Sequence, residues 1–509
     1  MGFGAALCRL LCVSTPAESR SIQDSTPTMQ SRCASFVGQL PATTTRYDVC
    51  QVTSINMLHD DVLLDIFGFY VIRRSNYEKE EIEAWQTLVH VCRQWRTVVF
   101  GSPRRLRLRL YCATKTQTPL DVSPALPLRI EGGVGNTEEL DNIVAVLERS
   151  NRVYHIDLAD YSSYLEDILA PMQEPFPELT YLRLFSTEAA TVVPDSFLGG
   201  YAPPRLRELT LDGIPFPGLP KLLLSPTQLT YLLLFNIPHS GYFSPEAIST
   251  TLSTLTSLRH LVLKFQSPRS LPDGESRHPP PLLRSVLPAL RTLRFKGVGE
   301  YLEDLVARID APRLYSLTIT MFNQILFDTP HFIQFVSRTP TLKALKKARL
   351  AFRNDAAAVV LSSPPDGYKE LEVEILCRQS DWQVSSLEQV CNLCLPSLSA
   401  LEDLNIHENL KSPPDWRDNI ENTLWLEVLR PFSGVTNLYL SEKLAPSIAA
   451  ALQELVGSRT MEALPALQNI FLEGLQPSGP VQDGIVNLVP ARELSGHPIT
   501  VSLWERDEI

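Results

Sequence analysis

The feature that most constrains this sequence is a short apolar phrase, Leu-x-x-Leu-x-Leu, which recurs through most of the chain. The last two apolar positions of each copy are two residues apart, as a strand with one buried face requires. One such strand cannot bury its own apolar face, whereas a stack of them can. Nine clear copies begin at Leu179, Leu206, Leu229, Leu258, Leu290, Leu314, Leu401, Val435 and Leu467.

Weaker copies extend the series at both ends and across its central gap. Two of them begin at Val153 and Tyr368, and a third lies within the segment that starts at Leu342. The segment "ITVSLW" near residue 500 is expected to form a last strand. Helix-like runs separate the copies; they span Pro245–Leu255, Tyr301–Ile309, His331–Ser337, Leu387–Leu395, Asn419–Leu429 and Ala445–Val456.

The copies within each unbroken series are 23 to 34 residues apart, a spacing typical of leucine-rich repeats. We therefore predict an α/β solenoid over residues 104–509, an irregular leucine-rich-repeat stack with a parallel sheet and outer helices. Most copies lack the Asn or Cys expected after the strand, so an asparagine ladder is not expected to join the turns. The polar stretch Ser267–Pro281 is predicted to be a flexible loop.

Residues 55–103 form a different pattern, which predicts a small helical module. Asp60 and Asp61 stand in the first turn of its first helix, where carboxylates suit the positive end of the helix dipole. Ser75 with Glu78 three residues later predicts a capping box at the start of one long second helix, which Pro103 ends. About fifty residues bury little surface alone, so part of the apolar face is expected to dock elsewhere.

The segment Arg104–Cys112, "RRLRLRLYC", alternates Arg with Leu. This alternation predicts a strand with its leucines inward and its arginines in solvent. The alternative interpretation is a phosphate-binding patch.

Composition limits the remaining possibilities. Residues 1–54, rich in Ser, Thr and Gln, are predicted to be a disordered tail. The nine cysteines form no close-spaced disulfide framework, which favours a reducing compartment, cytoplasmic or nuclear. The net charge of −11 argues against nucleic acid as a partner. No run approaches the ~20 apolar residues of a membrane span, so no membrane partner is expected.

The helical module resembles an F-box, and more closely the F-box-like proteins of mushroom-forming fungi. The resemblance rests on "INMLHDDVLLDIFGFY" and "WQTLVHVCRQWRTVVF", and extends with less specificity to about Ile130. His59 stands where the family has a proline. The resemblance places adaptor-binding residues at Leu58, His59, Val62, Leu63, Ile66, Phe67, Val91, Cys92 and Trp95.

The resemblance also implies a function. F-box proteins are substrate receptors of cullin-RING ubiquitin ligases: the F-box docks on an SKP-type adaptor, which joins a cullin scaffold, and the repeats recruit a protein target. The alternative is a leucine-rich-repeat interaction scaffold whose F-box-like module no longer binds the adaptor and only caps the stack.

No pattern in the sequence indicates an enzyme, a cofactor or a metal site. "CNLC" at Cys391–Cys394 has zinc-type spacing, but no second ligand pair lies nearby. "EGGVGN", residues 131–136, lacks the Lys and Ser/Thr of a phosphate loop. It is expected to be a loop that ends in an Asn136 cap on a helix over 137–149.

A target-binding surface is expected on the strand positions between the buried leucines, for which an ordinary solvated strand face is the alternative. Exposed aromatic side chains beside cations are typical of interfaces. The candidates are Arg183, Phe185, Phe235, Lys264, Arg294, Lys296 and Tyr439. Of these, Lys264, Arg294 and Lys296 form a basic spot that suits an acidic or phosphorylated degron.

Overall fold

The computed structural model describes most of the chain beyond residue 57. The described residues are 58–75, 84–115, 117–118, 120, 125–161, 163–187, 191–225, 227–268, 284–322, 329–343, 345–363, 369–395, 398–408, 421–455, 459, 461–474 and 480–504. The predicted tail 1–54 and most of the predicted loop 267–281 lie outside them. The chain divides into two compact units, Met1–Leu108 and Arg109–Ile509.

The first unit is helical. The helices among its described residues are α1 (Asp60–Ser75), α2 (Ala84–Val89) and α3 (Arg93–Gly101). Ring contacts among its described residues include Phe67 with Trp95 at 4.7 Å between centroids and Trp85 with Phe100 at 5.8 Å. Aromatic pairs at such distances contribute stability beyond the area they bury.

The prediction of one long helix starting at Ser75 is wrong. Ser75 is the last residue of α1, and Glu78 lies outside the described residues. The helix that contains Trp85 ends at Val89, and a new helix starts after Cys92. Cys92 has an extended backbone and its Sγ accepts a hydrogen bond from the Trp95 N–H at 3.5 Å. Cys92 therefore acts as a helix cap, a role that its place in an apolar stripe did not indicate.

The second unit contains a large, mostly parallel sheet, which confirms the predicted α/β architecture. Sixteen strands follow one another in the order β1-β2-β3-β4-β5-β6-β7-β9-β11-β14-β13-β12-β15-β16-β17-β18, and β8 pairs separately with β10. The strands are β1 Leu110–Ala113, β2 Leu128–Val134, β3 Val153–Asp160, β4 Tyr181–Ser186, β5 Glu208–Asp212, β6 Tyr231–Ile237, β7 His260–Phe265, β8 Ser285–Val286, β9 Thr292–Gly297, β10 Ile309–Asp310, β11 Ser316–Phe322, β12 Lys347–Phe352, β13 Ala356–Ser362, β14 Glu370–Leu376, β15 Asp403–Glu408, β16 Asn437–Leu440, β17 Asn469–Glu473 and β18 Thr500–Trp504.

Helices follow most of the strands in this unit. The α-helices are α4 Thr137–Leu147, α5 Leu165–Leu169, α6 Leu219–Leu222, α7 Pro245–Leu252, α8 Gly299–Arg308, α9 Pro330–Arg338, α10 Ser380–Gln389, α11 Asn422–Leu429, α12 Ala445–Gln453 and α13 Pro480–Leu494. A π-helical turn spans Val390–Cys394, and 3-10 turns span Pro171–Gln173, Phe197–Gly200, His239–Gly241, Pro340–Leu342 and Leu398–Ala400. Six of these helices lie within or largely overlap predicted helical segments: α4, α7, α8, α9, α11 and α12. The helices α5, α6 and α13 were not predicted, and α10 begins at Ser380, seven residues before the predicted run. The start of α4 is capped as expected, because the Asn136 side chain accepts from the Glu139 N–H at 2.9 Å.

Rows of buried leucines hold the sheet together. The fourth residue of each phrase pairs in register with its equivalent on the next strand, and every member of this row is fully buried. The row runs Leu182, Leu209, Leu232, Leu261, Leu293, Leu317 and Leu371. Each strand therefore shares its apolar face with two neighbours, which is the reason that no copy is stable alone.

One strand breaks the parallel pattern. β13 pairs antiparallel with both β14 and β12, so the sheet order inverts there. Six of its seven residues, in "AAAVVLS", are buried. Only parallel strands were expected, and β13 was not among them because its segment is a continuous apolar run without the repeat phrase. Such a run is typical of a strand buried on both faces.

The beginning of the sheet departs from two predictions. The strand predicted over Arg104–Cys112 starts only at Leu110, although Leu106 and Leu108 are buried as expected. Gly132 and Gly133 of "EGGVGN" lie in β2 rather than in a loop, whereas Gly135 lies between β2 and α4. Gly132 has φ +142, and a Cβ there would lie 2.6 Å from the Thr114 Oγ1. Close strand packing thus explains this glycine without a phosphate ligand.

We expect Leu232→Ala to lower the free energy of unfolding by about 2–5 kcal/mol, because it opens a cavity in the fully buried row. Leu233→Ala, on the same strand but on the opposite, half-buried face, is the matched control and is expected to cost less. Urea unfolding of both variants measures the difference. Equal losses would show that the two faces of β6 are equally packed.

Candidate functional site

The outer side of α1 carries an exposed apolar surface. Val62, Ile66 and Phe69 are 46%, 37% and 78% exposed. Their spacing of four and then three residues places them on one side of the helix. We call these three residues the α1 apolar surface. Val91, between α2 and α3, is also exposed.

The opposite side of α1 belongs to the core. Leu63 and Phe67 are fully buried, and Trp95, which contacts Phe67, is nearly so. The prediction that Leu63, Phe67 and Trp95 contact an adaptor directly is therefore corrected, because side chains covered by the protein itself cannot reach a partner. The helix is apolar on two sides, and only the second side is exposed.

The remaining predicted adaptor residues lie at the surface or near it. His59 is exposed, whereas Leu58 and Cys92 are half-buried. Phe69 was not predicted although it is the most exposed member of the α1 apolar surface. Its position three residues after Ile66 was the available signal.

Polar contacts fix the start of α1. The His59 carbonyl accepts hydrogen bonds from the N–H groups of Val62 and Leu63 at 2.9 and 3.1 Å, and its Nδ1 lies 3.4 Å from the Asp61 N–H. The carbonyl bonds would also be available to a proline, whereas the imidazole accepts from one further backbone donor, the Asp61 N–H, that a proline side chain could not satisfy. The Arg105 guanidinium donates to Asp61 at 2.9 Å and to Asp65 at 2.8 Å. This contact assigns Arg105 to helix positioning rather than to a phosphate patch.

In the second unit, the sheet face opposite the leucine rows carries the predicted target residues, and their surroundings differ. Arg183 is exposed, but its guanidinium lies 3.6 Å from the Asp157 carboxylate. Phe185 is half-buried and makes an edge contact with Tyr161 at 6.0 Å between centroids. Arg183 and Phe185 therefore already have partners on this face.

The three residues of the predicted basic spot lie on two neighbouring strands, β7 and β9. Lys264 and Lys296 are paired residues of these two strands. The Lys264 Nζ lies 5.8 Å from the centroid of Phe235, and the Lys296 Nζ lies 5.5 Å from that of Phe322. Both ammonium groups are thus held over aromatic rings. Arg294, between Val262 and Thr318, is exposed.

Tyr439 lies elsewhere in the sheet. It is on β16, six strands beyond β9 in the sheet order. There it stacks on Phe471 at 4.6 Å with an interplanar angle of 10°, and Trp504 packs against it at 5.4 Å. Tyr439 therefore belongs to a separate aromatic cluster and not to the basic spot.

The charge of this face changes sign two strands from β9. The alternate positions of β14 are Glu370, Glu372 and Glu374. Glu374 accepts hydrogen bonds from Arg353 and from the Thr320 hydroxyl. The pKa of Glu372 is raised, first by burial and then by the carboxylates of Glu374 and Glu370. A positive surface thus stands beside a negative one.

An open cleft of about 840 Å³ lies where β4 to β7 begin. Its lining is mostly polar. The lining residues are Thr180, Tyr181, Arg207, Glu208, Gln228, Thr230, Tyr231, Thr256, Ser257, Arg259 and Ala289. We call it the edge cleft. The edge cleft was not predicted, because most of its residues precede the strands and lie outside the positions that the repeat phrase assigns to the strand face.

Stacked ring pairs border the edge cleft. His155 stacks on Tyr181 at 4.2 Å and Tyr231 stacks on His260 at 4.5 Å. Glu208 pairs in register with both Tyr181 and Tyr231. Burial raises the pKa of Glu208, although His155 and Arg183 oppose that rise.

Comparison with known proteins adds no family: the sequence matches no protein-family model and no curated protein sequence. In the part of the chain that the structure describes, no helix is long and apolar enough to cross a membrane. Across the same described residues, no group of three or more His, Cys, Asp or Glu side chains could hold a metal ion. Cys391 and Cys394 are buried in the π-helical turn, where burial raises the pKa of the Cys391 thiol.

We expect Glu372→Gln to stabilise the protein at pH 7. The raised pKa in the folded state means that ionised Glu372 disfavours folding, and a neutral amide removes that penalty. The gain in melting temperature should decrease as the pH falls through the raised pKa of folded Glu372. It should be absent below the ordinary pKa of 4.5, because the wild-type carboxyl is then protonated in both the folded and the unfolded state. Thermal melting across pH measures it.

Glu374→Gln is the matched control on the same strand face. It loses an ion pair with Arg353 and is not expected to raise the melting temperature at pH 7. A stabilising Glu374→Gln together with a neutral Glu372→Gln would contradict this assignment of the two carboxylates.

Proposed function

We propose that this protein is the substrate receptor of an SKP-cullin-F-box type ubiquitin ligase. In this proposal the helical unit is an F-box that docks on an SKP-type adaptor and through it on a cullin scaffold. The sheet unit is a divergent leucine-rich-repeat solenoid that recruits a protein target. The protein itself is not an enzyme, and it works in the cytoplasm or nucleus.

One observation carries the proposal. A helix with a complete core on one side, Leu63 and Phe67 with Trp95, exposes a second apolar side at Val62, Ile66 and Phe69. Leaving three such side chains in water is unfavourable, and a contiguous exposed patch of this kind is typical of a protein interface. The residues belong to the segment that resembles an F-box.

The sheet face supports the second half of the proposal. Lys264, Arg294 and Lys296 lie together on β7 and β9 in a protein of net charge −11. None of the three has a carboxylate partner among the described residues. An acidic or phosphorylated target segment would supply the missing negative charge.

The scaffold alternative is favoured by one residue, His59. Its imidazole is exposed where F-box proteins have a proline, so the helix start is chemically different there. Purification with an SKP-type adaptor separates the two functions. A stable complex supports the receptor, and no complex in gentle salt supports the scaffold.

We expect Ile66→Asp/Phe69→Asp to abolish adaptor binding, because the adaptor would have to bury two carboxylates. Replacement by Ala should weaken binding by about 2 kcal/mol or more if these residues are hot spots. Leu224→Asp, which changes an exposed leucine of the sheet unit, is the control. Calorimetric titration measures the affinities, and circular dichroism verifies folding.

Undiminished adaptor binding by the folded Ile66→Asp/Phe69→Asp variant would contradict the proposed docking surface. Equal loss in the Leu224→Asp control would show that binding does not depend on α1 in particular.

A further inference from the structure

Three arginines surround one histidine at the start of β7 and β9. Arg259 and Arg291 immediately precede these strands, and the Arg291 N–H donates to the Arg259 carbonyl at 2.8 Å. Arg294 follows on β9, opposite Val262. His260 lies between them in the sheet and pairs with Thr292. We call Arg259, Arg291 and Arg294 the arginine cluster.

The arginine cluster lacks the carboxylates that neutralise other arginines of this unit. Arg183 pairs with Asp157, Arg205 with Glu178, Arg338 with Asp310 and Arg353 with Glu374. By contrast, the three guanidinium groups of the cluster are exposed and form neither an ion pair nor a side-chain hydrogen bond with any described residue. Their donors are available to a ligand.

The electrostatic environment of His260 agrees with this geometry. Burial lowers the pKa of His260, and Arg291, Arg259 and Arg294 lower it further in that order. A nearby carboxylate would oppose such a shift, and none contributes to it. The positive charge at this point is therefore uncompensated.

The edge cleft continues from the arginine cluster. Arg259 and Ser257 line one side of it, Tyr231 lies between, and Arg207 and Glu208 line the other. Glu208 is on β5, two strands from β7, which places it about 10 Å from His260 along the sheet. A ligand with its negative charge at the arginine cluster thus avoids Glu208.

We propose that the arginine cluster binds the phosphate group of a phosphoserine or phosphothreonine side chain, with adjacent residues of the same peptide in the edge cleft. This inference rests on the proposed function in that the ligand is a segment of a protein target. A phosphate monoester carries about −1.5 to −2 charge at pH 7 and three acceptor oxygens, which match three guanidinium groups better than one carboxylate does.

The site differs from the lysine pair in the basic spot. Lys264 and Lys296 lie at the other end of the same strands, and both ammonium groups already sit over aromatic rings. Arg294 is the residue that the basic spot and the arginine cluster share. Arg259 and Arg291 therefore discriminate between the two sites.

The test is fluorescence anisotropy of the full-length protein with a degenerate peptide library centred on phosphoserine or phosphothreonine. The same library with unphosphorylated Ser and Thr, and a single-stranded RNA, are the comparisons. We expect the protein to bind only the phosphorylated library. The Arg259→Gln/Arg291→Gln variant should bind it with about a hundredfold lower affinity, because each lost charged hydrogen bond lowers the affinity roughly tenfold.

Arg430→Gln is the matched control, because this exposed arginine is already paired with Glu427 and does not line the edge cleft. It should bind within about twofold of the wild type, since exposed pairs contribute little. In the wild type, the His260 imidazole resonances should shift on titration with the phosphorylated library and not with the unphosphorylated one. This shift requires an anion bound beside His260, so it would not be seen if the arginines served only to stabilise the fold.

Failure of the phosphorylated library to bind would overturn the inference. So would equal binding of the unphosphorylated library, preferential binding of RNA, or unchanged affinity in the folded Arg259→Gln/Arg291→Gln variant. Adaptor binding is measured on the same samples. An intact adaptor complex without phosphopeptide binding refutes only this site, whereas phosphopeptide binding without an adaptor complex refutes the receptor function and leaves the site in place.

Discussion

The structure depends on the sharing of buried leucines between neighbouring strands. Leu209, Leu232 and Leu261 are fully buried because each lies between equivalents on the strands beside it. The burial of a leucine side chain contributes roughly 1.5–3 kcal/mol, but only when both neighbours are present. This dependence couples the strands into one sheet and leaves the opposite face free to vary.

That division explains which parts of the structure could be predicted. The buried positions within each phrase obey a fixed spacing, so most of the parallel strands and most helices lie where the sequence indicates them. β13 was missed because a strand buried on both faces carries no alternation. The break of the second predicted helix was also missed, because a thiol cap at Cys92 cannot be told from a core cysteine by spacing alone.

The functional surfaces were predictable only in part, for a similar reason. Spacing identified the apolar character of α1, but it could not show that Leu63 and Phe67 face inward while Ile66 and Phe69 face out. On the sheet, Arg294 was predicted from its strand position. Arg259 and Arg291 precede their strands, and only the register of the sheet shows that they are neighbours.

We propose that docking and target recognition belong to different units of the protein. Hydrogen–deuterium exchange of the full-length protein tests this division most directly. Addition of an SKP-type adaptor should slow amide exchange in α1, whose outer side becomes covered, and leave β4 to β9 unchanged. Unchanged exchange throughout α1, or protection confined to the sheet, would contradict the account.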